Sequence, residues 1–170
     1  MAALVADTSG LVSLGTAVDA VPNPLSLCIE AYDVCVPEEV IAELEELASY
    51  DDTHGRAATA TLDLRLDLTI QSVDLDVAFP LDDGENAAVT LANKRDAALL
   101  LCDEFNRLGL IHASLADTRL VTTPTLLSVF VRTERLPADD ARTLLDDISA
   151  ARSWDANSYV QRARSLLDDS

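Results

Sequence analysis

Aromatic residues are scarce in this sequence, and so are the features of a membrane protein. Phe, Trp and Tyr make up 4% of the chain, whereas hydrophobic residues as a whole make up 49%. The core must therefore be built from Leu, Val, Ile and Ala. No apolar run approaches the roughly 20 residues that a membrane-spanning helix needs. The start, from Met1 to Val5, has no basic region, so we expect no signal peptide and a cytoplasmic protein.

Cysteine and histidine are also rare, which bears on disulfides and zinc. The three cysteines, Cys28, Cys35 and Cys102, are an odd number and include no CxxC pair. Cys35 and Cys102 lie in apolar, strand-like runs, so we predict small buried side chains rather than bridges or ligands. His54 and His112 lack the close spacing of zinc ligands, and no zinc site is expected.

Positive charge is the third shortage. The chain has 12 lysines and arginines against 30 aspartates and glutamates, which gives a net charge of −18, and Lys94 is its only lysine. Such a surface is typical of adaptation to a high-salt cytoplasm, because dissolved salt screens the self-repulsion. The alternative is an acidic surface that binds a basic partner. No basic patch of the kind that usually marks nucleic-acid binding is visible in the sequence.

Apolar runs and helical periodicities alternate along the chain, which predicts one α/β domain with a central parallel sheet covered by helices on both faces. A length of 170 residues suits a single core. The polar segment 51–56 is expected to be the most flexible. The predicted strands cover 2–6, 33–36, 69–73, 98–102 and 118–122, and the predicted helices cover 11–21, 25–31, 38–50, 57–66, 85–95, 104–114, 124–133, 137–150 and 157–167.

Two of the thirty acids directly follow apolar strands. Asp7 ends the first predicted strand, and Asp103 ends the strand before residue 104. Ligands of open α/β sheets bind at the carboxyl ends of the strands, so both carboxylates are candidates for a shared site. The alternative for each residue is an N-cap of the helix that follows.

Glu43 is singled out by helical geometry. At about 100° per residue, it lies nearest the apolar face of its helix, between Val40 and Leu47. A carboxylate at the edge of a buried face needs a partner, because burying it alone is costly. A metal ion would serve, although Glu43 is equally explained as a boundary residue whose carboxylate reaches water.

Glu85 also lies on the inner side of its predicted helix, one turn before Ala88 and Val89. Asp82 and Glu85 have the spacing of a capping box, in which the glutamate reaches back to a backbone N–H. That alternative does not explain why Glu85 should point toward the sheet.

These four acids come from separate segments that return to one edge of the sheet. Clustered carboxylates repel one another unless they are protonated or bind cations, and hard oxygen ligands select Mg²⁺ or Mn²⁺. Such ions activate water and stabilise charge at a phosphoryl group. The constellation therefore indicates phosphodiester hydrolysis.

Four segments together resemble the PIN-domain family. They are VADTS (5–9), VPEEVIAEL (36–44), LDDGENAAVTLA (81–92) and LLCDEFNR (100–107). The third is similar to the LDxGE signature of a toxin-like subgroup. The resemblance covers roughly residues 4–133, so residues 1–135 are taken as a PIN-like domain. The helices in 136–170 are expected to pack on that domain or on a dimer partner.

The resemblance implies a three-layer α/β/α sandwich and an Mg²⁺- or Mn²⁺-dependent ribonuclease. It implies that Glu104 assists the metal and that Ser9 holds an acid or a water near it. Arg107 would contact phosphate or pair with an acid, the alternative being an ordinary helix ion pair. Where the subgroup usually has a glycine-containing turn, this chain has Thr122-Thr123-Pro124-Thr125. The resemblance therefore predicts neither the geometry of that wall of the site nor a role for Thr122 or Thr123. The implied metal ligands are Asp7, Glu43, Glu85 and Asp103.

Three functions compete on this evidence. The first is a ribonuclease that acts on RNA, of which the toxin of a toxin–antitoxin pair is a narrower form, with an antitoxin protein and a homodimer as candidate partners. The second is a non-catalytic PIN-like module that binds a protein or RNA, which the acidic surface favours because phosphate contacts normally need Arg or Lys. The third, phosphotransfer, fits worse, because Ser9 stands where an Asp-x-Asp phosphatase needs an acid and Lys94 lies in a helix.

Overall fold

The structure, a computed structural model, describes residues 1–169 and contains five strands and nine α-helices in that range. The strands are β1 (Ala3–Ala6), β2 (Asp33–Pro37), β3 (Thr69–Gln71), β4 (Leu99–Leu101) and β5 (Arg119–Val121). The helices are α1 (Thr8–Gly15), α2 (Pro24–Ala31), α3 (Glu38–Ala48), α4 (Thr53–Leu62), α5 (Asp83–Arg95), α6 (Leu108–Ser114), α7 (Thr123–Arg132), α8 (Ala138–Arg152) and α9 (Ser158–Asp168).

The five strands form one parallel sheet in the order β3-β2-β1-β4-β5. In the central strand, Val5 lies beside Cys35 on one side and Leu100 on the other. Consecutive residues of β1, whose side chains point to opposite faces of the sheet, are buried at Leu4, Val5 and Ala6, because helices cover both faces. The predicted α/β/α sandwich with a central parallel sheet is therefore confirmed.

Two hydrophobic cores lie on opposite faces of the sheet. Leu4 and Ala6 pack into the larger core, with α1–α4 and α7–α9, whereas Val5 packs into the smaller core with α5 and α6. Alternate residues of β1 thus face opposite layers, as the pleat requires. Phe130 is the only aromatic ring with no exposed surface among the described residues, so aliphatic side chains build the cores, as the composition predicts.

Two predicted helix boundaries were wrong near the carboxyl edge of the sheet. The predicted helix 11–21 is α1, which begins at Thr8 and ends at Gly15, where the Thr16 hydroxyl donates to the Ser13 carbonyl oxygen at 2.7 Å and competes with the helical ladder. The predicted helix 104–114 begins only at Leu108. Residues 104–107 form a turn instead, because the Asp103 carboxylate is bound elsewhere and is not available as a cap.

Helix α4 also begins earlier than predicted. The Asp52 carboxylate accepts a hydrogen bond from the Gly55 backbone N–H at 2.7 Å, an N-cap that turns part of the segment predicted to be flexible into the first turn of α4. The remainder of the predicted helix 57–66 becomes a 3₁₀ turn at Arg65–Asp67.

The last two helices pack on the same chain. Helix α8 contacts α1 and α7, and α9 contacts α7 and α8. Their buried side chains, including Leu145, Ile148 and Val160, belong to the larger core. A dimer partner for these helices stays a prediction. No helix within residues 1–169 is long and apolar enough to cross a membrane.

Candidate active site

The carboxyl edge of the sheet brings together three residues that follow neighbouring strands. Asp7 follows β1, Asp103 comes two residues after β4, and Thr123 comes two residues after β5. The backbone ladders continue past the strand ends, with Asp7 N–H donating to the Leu101 carbonyl oxygen at 3.0 Å. The strand order therefore sets these side chains side by side.

Burial separates the functional candidates from the other acids. Among the thirty aspartates and glutamates, only Asp7, Glu85 and Asp103 are buried, each 4–5% exposed. All three are among the four ligand candidates from the sequence. Burying a carboxylate is costly unless it is paired or protonated, so these positions need a specific explanation.

Asp7 is not a side-chain N-cap, because its carboxylate makes no capping hydrogen bond to α1. The Ser9 hydroxyl donates to Asp7 Oδ2 at 3.2 Å, and the Cys102 thiol points to the same oxygen at 3.4 Å. Burial raises the pKa of Asp7 to about 6, although its hydrogen bonds oppose the shift. Ser9 thus holds an acid, as the resemblance implies. It also accepts a hydrogen bond from the Asp103 backbone N–H at 2.9 Å.

Asp103 is held by the residue at which α7 begins. Thr123 donates its backbone N–H to Asp103 Oδ1 at 2.7 Å and its hydroxyl to Oδ2 at 2.6 Å. Asp103 therefore does not cap the helix that follows it. Burial raises the pKa of Asp103, while the two bonds from Thr123 lower it. The Thr-Thr-Pro-Thr segment replaces the expected glycine turn, and its second threonine fixes this carboxylate.

Glu43 reaches the site from α3 and is half-buried. Burial raises the pKa of Glu43 to about 7, together with the neighbouring charges of Asp7 and Asp82. The nearby buried Thr8 hydroxyl interacts with Glu43 and opposes this rise in its pKa. A Cβ on Gly84 would lie 1.7 Å from Glu43 Oε1, so the glycine at the start of α5 makes room for this carboxylate.

Glu85 serves as a cap and faces the site as well. Its Oε1 accepts from the Asp82 backbone N–H at 3.2 Å, and its own N–H donates to Asp82 Oδ1 at 2.8 Å, which completes the capping box. Arg107 Nε lies 2.9 and 2.8 Å from the two carboxylate oxygens of Glu85. Arg107 therefore pairs with an acid of another segment, and the alternative of an i,i+3 or i,i+4 helix pair was wrong.

One cavity of about 220 Å³ opens between these segments. Three of the four ligand candidates line it, whereas Asp103 and Arg107 are not among its lining residues. Glu104, expected to assist the metal, also lines the cavity. Partial desolvation raises the pKa of Glu104, and the negative charge of Glu85 acts in the same direction. The lining residues are Asp7, Thr8, Ser9, Val12, Glu43, Leu47, His54, Asp82, Glu85, Glu104 and Arg152.

Sequence reasoning missed two nitrogen-bearing side chains of this cavity. Arg152, the last residue of α8, and His54, in the first turn of α4, line the cavity together. They are 98 positions apart, and neither lies in a recognisable motif, so nothing in the sequence links them. Asp82 could have been found, since its capping-box spacing already tied it to Glu85.

Among residues 1–169, no three Asp, Glu, His or Cys side chains stand together in a ready metal-binding arrangement. Arg107 holds Glu85 and Thr123 holds Asp103, which leaves Asp7 and Glu43 without a cationic partner. The donor set still suits a hard divalent cation, because the cavity is lined by the carboxylates of Asp7, Glu43, Glu85 and Glu104 and by the Thr8 hydroxyl. The cysteines are free and buried, as predicted, and Cys102 contacts the site through Asp7, Ser9 and the backbone N–H of Glu104.

Comparison with known families gives an independent result. A family model described as a PIN domain matches residues 3–169, which includes the two C-terminal helices as well as the four acidic segments. A comparison with curated proteins found no match. Because the family model covers nearly the whole sequence, this chain belongs to the PIN-domain family.

Proposed function

We propose that this protein is an Mg²⁺- or Mn²⁺-dependent endoribonuclease that hydrolyses phosphodiester bonds of RNA. PIN domains are generally nucleases and typically use divalent metals. The observation that carries the proposal is the convergence of Asp7, Glu43, Glu85 and Glu104, from four separate segments, on one cavity at the carboxyl edge of the sheet. Acids gathered in a partly desolvated cavity stay ionised at neutral pH only if a cation offsets their repulsion, and otherwise take up protons.

The proposed ligands are Asp7, Glu43, Glu85 and Asp103, with Glu104 assisting. Asp7 and Glu43 are the direct candidates, since no arginine or lysine forms an ion pair with either among the described residues. A bound divalent ion would polarise the phosphodiester and lower the pKa of an attacking water. Ser9 orients Asp7, while Thr123 and Arg107 orient Asp103 and Glu85.

The first test is Mn²⁺ binding by calorimetry at high salt. We expect wild-type binding that is lost in Asp7→Asn/Asp103→Asn. The matched control is Asp63→Asn/Asp155→Asn, which removes two charges from exposed positions. Metal affinity that falls equally in both double variants would mean that bulk charge, and not this site, attracts the ion.

The second test is cleavage of single-stranded RNA of mixed sequence. We expect Mn²⁺-dependent cleavage by the wild type that EDTA abolishes and that Asp7→Asn removes, while circular dichroism shows an unchanged fold. Cleavage that persists in Asp7→Asn/Asp103→Asn would contradict the proposal, because it would come from other residues or from a contaminant.

A non-catalytic PIN-like module is the second candidate. Two of the proposed metal ligands already have partners in the protein, since Arg107 binds Glu85 and Thr123 binds Asp103. This arrangement favours the non-catalytic candidate. The net charge of −18 also opposes contact with RNA. Wild-type protein that binds neither Mn²⁺ nor RNA would favour this candidate.

The toxin of a toxin–antitoxin pair is a narrower form of the first proposal. Its support is the LDDGE segment at 81–85. We expect induced expression of the wild type to arrest bacterial growth and Asp7→Asn to be harmless. An antitoxin protein and a homodimer are proposed partners, and sedimentation of the purified chain tests the homodimer.

A further inference from the structure

Arg152 lines the acidic cavity together with Asp7, Glu43, Glu85 and Glu104. It is the only arginine or lysine that lines this cavity among the described residues. The charges of Asp103 and Glu104 act on its guanidinium. The carboxyl end of α8 therefore brings one strong cation to an otherwise acidic site.

The hydrogen-bonding capacity of Arg152 is not met by the protein. Its Nε atom is buried and has no partner within residues 1–169, and Arg152 forms no ion pair there, unlike Arg107 and Arg142. One terminal nitrogen lies 3.3 Å from His54 Nε2. Because guanidinium cannot accept, His54 Nε2 must be the acceptor. A buried donor of a charged group without an acceptor is costly.

Packing holds the guanidinium in this position. Trp154, two residues after Arg152, is buried and meets Phe105 edge-on with ring centroids 5.1 Å apart. Phe105 comes two residues after Asp103, and Arg152 itself lies 5.9 Å above the Trp154 ring. The end of α8 is thus anchored to the segment that carries Asp103 and Glu104.

We propose that Arg152, with His54 beside it, binds a backbone phosphate of the RNA substrate next to the carboxylates. This inference rests on the proposed ribonuclease function. An RNA phosphate that approaches several carboxylates is repelled, and a guanidinium supplies both the opposite charge and paired N–H donors. The half-buried Arg152 side chain lines the cavity, so its terminal nitrogens are the donors that a phosphate there would meet. The unpartnered Nε–H shows that no protein carboxylate already occupies this guanidinium.

The test measures RNA binding apart from cleavage. The probe is a fluorescein-labelled single-stranded RNA of mixed sequence, followed by anisotropy with Ca²⁺ in place of Mn²⁺, its integrity checked on a gel. We expect Arg152→Gln to raise Kd about tenfold, in line with one lost charged hydrogen bond. The slope of log K against log salt should fall by about 0.7, as for one phosphate contact to a single strand.

The controls separate a phosphate contact from charge neutralisation. Arg162→Gln removes the same charge from an exposed position on α9 and should leave Kd unchanged. Mn²⁺ affinity of Arg152→Gln, measured by calorimetry, should stay equal or rise slightly, since a cation near Asp103 is removed. Tighter Mn²⁺ binding with unchanged RNA affinity would overturn the inference and leave Arg152 as a neutralising charge.

A second variant guards against misfolding of Arg152→Gln. His54 is exposed, and His54→Gln should raise Kd about threefold without loss of stability, whereas an unchanged Kd would count against the pair. Wild-type protein that binds RNA but does not cleave it would refute the proposed enzymatic function alone. Wild-type protein that does not bind the RNA would overturn the present inference.

Discussion

At the scale of single residues, the close approach of Glu43 explains why the LDDGE segment has a glycine at position 84. The missing side chain of Gly84 is the space that Glu43 occupies, since a Cβ there would lie 1.7 Å from Glu43 Oε1. The backbone of Gly84 is helical and has no positive φ. The glycine is therefore required by the close approach of another segment, and not by backbone conformation.

Gly84→Ala should displace Glu43 while the fold survives. The clashing atom is the end of a flexible side chain, and alanine stabilises a helix by about 0.5–1 kcal/mol over glycine. We expect unchanged or slightly higher stability in urea, and Mn²⁺ affinity lower by about tenfold, as for a disturbed ligand. Gly109→Ala is the control, because a Cβ at Gly109 meets nothing within 4 Å. Equal metal affinity in the two variants would refute this role of Gly84.

Asp7 should make the metal-free protein less stable as the pH rises. Its folded pKa, about 6, lies above the ordinary aspartate value of 3.8, so between these two pH values the folded state holds a proton that the unfolded state has lost. The contribution of protonated Asp7 is fully present below the unfolded pKa and is lost as the pH rises through about 6. In EDTA, we expect Asp7→Asn to exceed the wild type in stability at about pH 8 by at most about 3 kcal/mol.

Urea unfolding over this pH range measures the effect. The stability difference between Asp7→Asn and the wild type should grow from about pH 4 to about pH 7 and then stay level. Addition of Mn²⁺ at the upper end should stabilise the wild type, because a bound cation favours the ionised carboxylate. A difference that does not vary with pH would contradict the burial argument.

At the scale of elements, the end of α8 is joined to the segment after β4 by a small aromatic cluster. Phe105 packs edge-on against Trp154 and stacks on Tyr159 with ring centroids 5.4 Å apart. Trp154 is 7% exposed and Tyr159 is 46% exposed. The buried Trp154 should therefore contribute more to the free energy of unfolding than the exposed Tyr159.

Trp154→Ala should lower the free energy of unfolding by about 3 kcal/mol, as for a large buried side chain, and Tyr159→Ala by less than about 1 kcal/mol. Urea unfolding gives both values. If the cluster positions Arg152, Trp154→Ala should also weaken RNA binding, whereas Tyr159→Ala should not. Similar losses of stability in the two variants would mean that α8 is not anchored through Trp154.

At the scale of the whole molecule, the net charge of −18 is spread over the surface, since three of the thirty acids are buried among the described residues. Self-repulsion of this kind destabilises a compact state and is screened by salt. We expect Tm to rise as KCl increases from about 0.1 M to about 1 M, where the Debye length falls to about 3 Å. Adaptation to high salt is our hypothesis for this surface, and a Tm that falls with KCl would contradict it.

Much of the architecture was predictable because it depends on local patterns. Apolar runs such as 99–101 and the periodicity of α3 are visible in the sequence, and they produce a parallel sheet with two helical layers. The acids at the strand ends follow from the same pattern. Helix ends were less predictable, because the Asp103 carboxylate, for which capping the next helix was the alternative role, is bound instead by Thr123, which comes 20 residues later.

The sequence by itself determined the fold class, the buried free cysteines and the short set of acids worth testing. Only the tertiary structure decided how those acids are partnered: Thr123 holds Asp103, Arg107 holds Glu85, and Gly84 admits Glu43. It also brought Arg152 and His54 to the cavity from elements 98 residues apart. The physical reason is range, since periodicity and capping act over a few residues, whereas ion pairs and close approaches depend on which segments the sheet order makes neighbours.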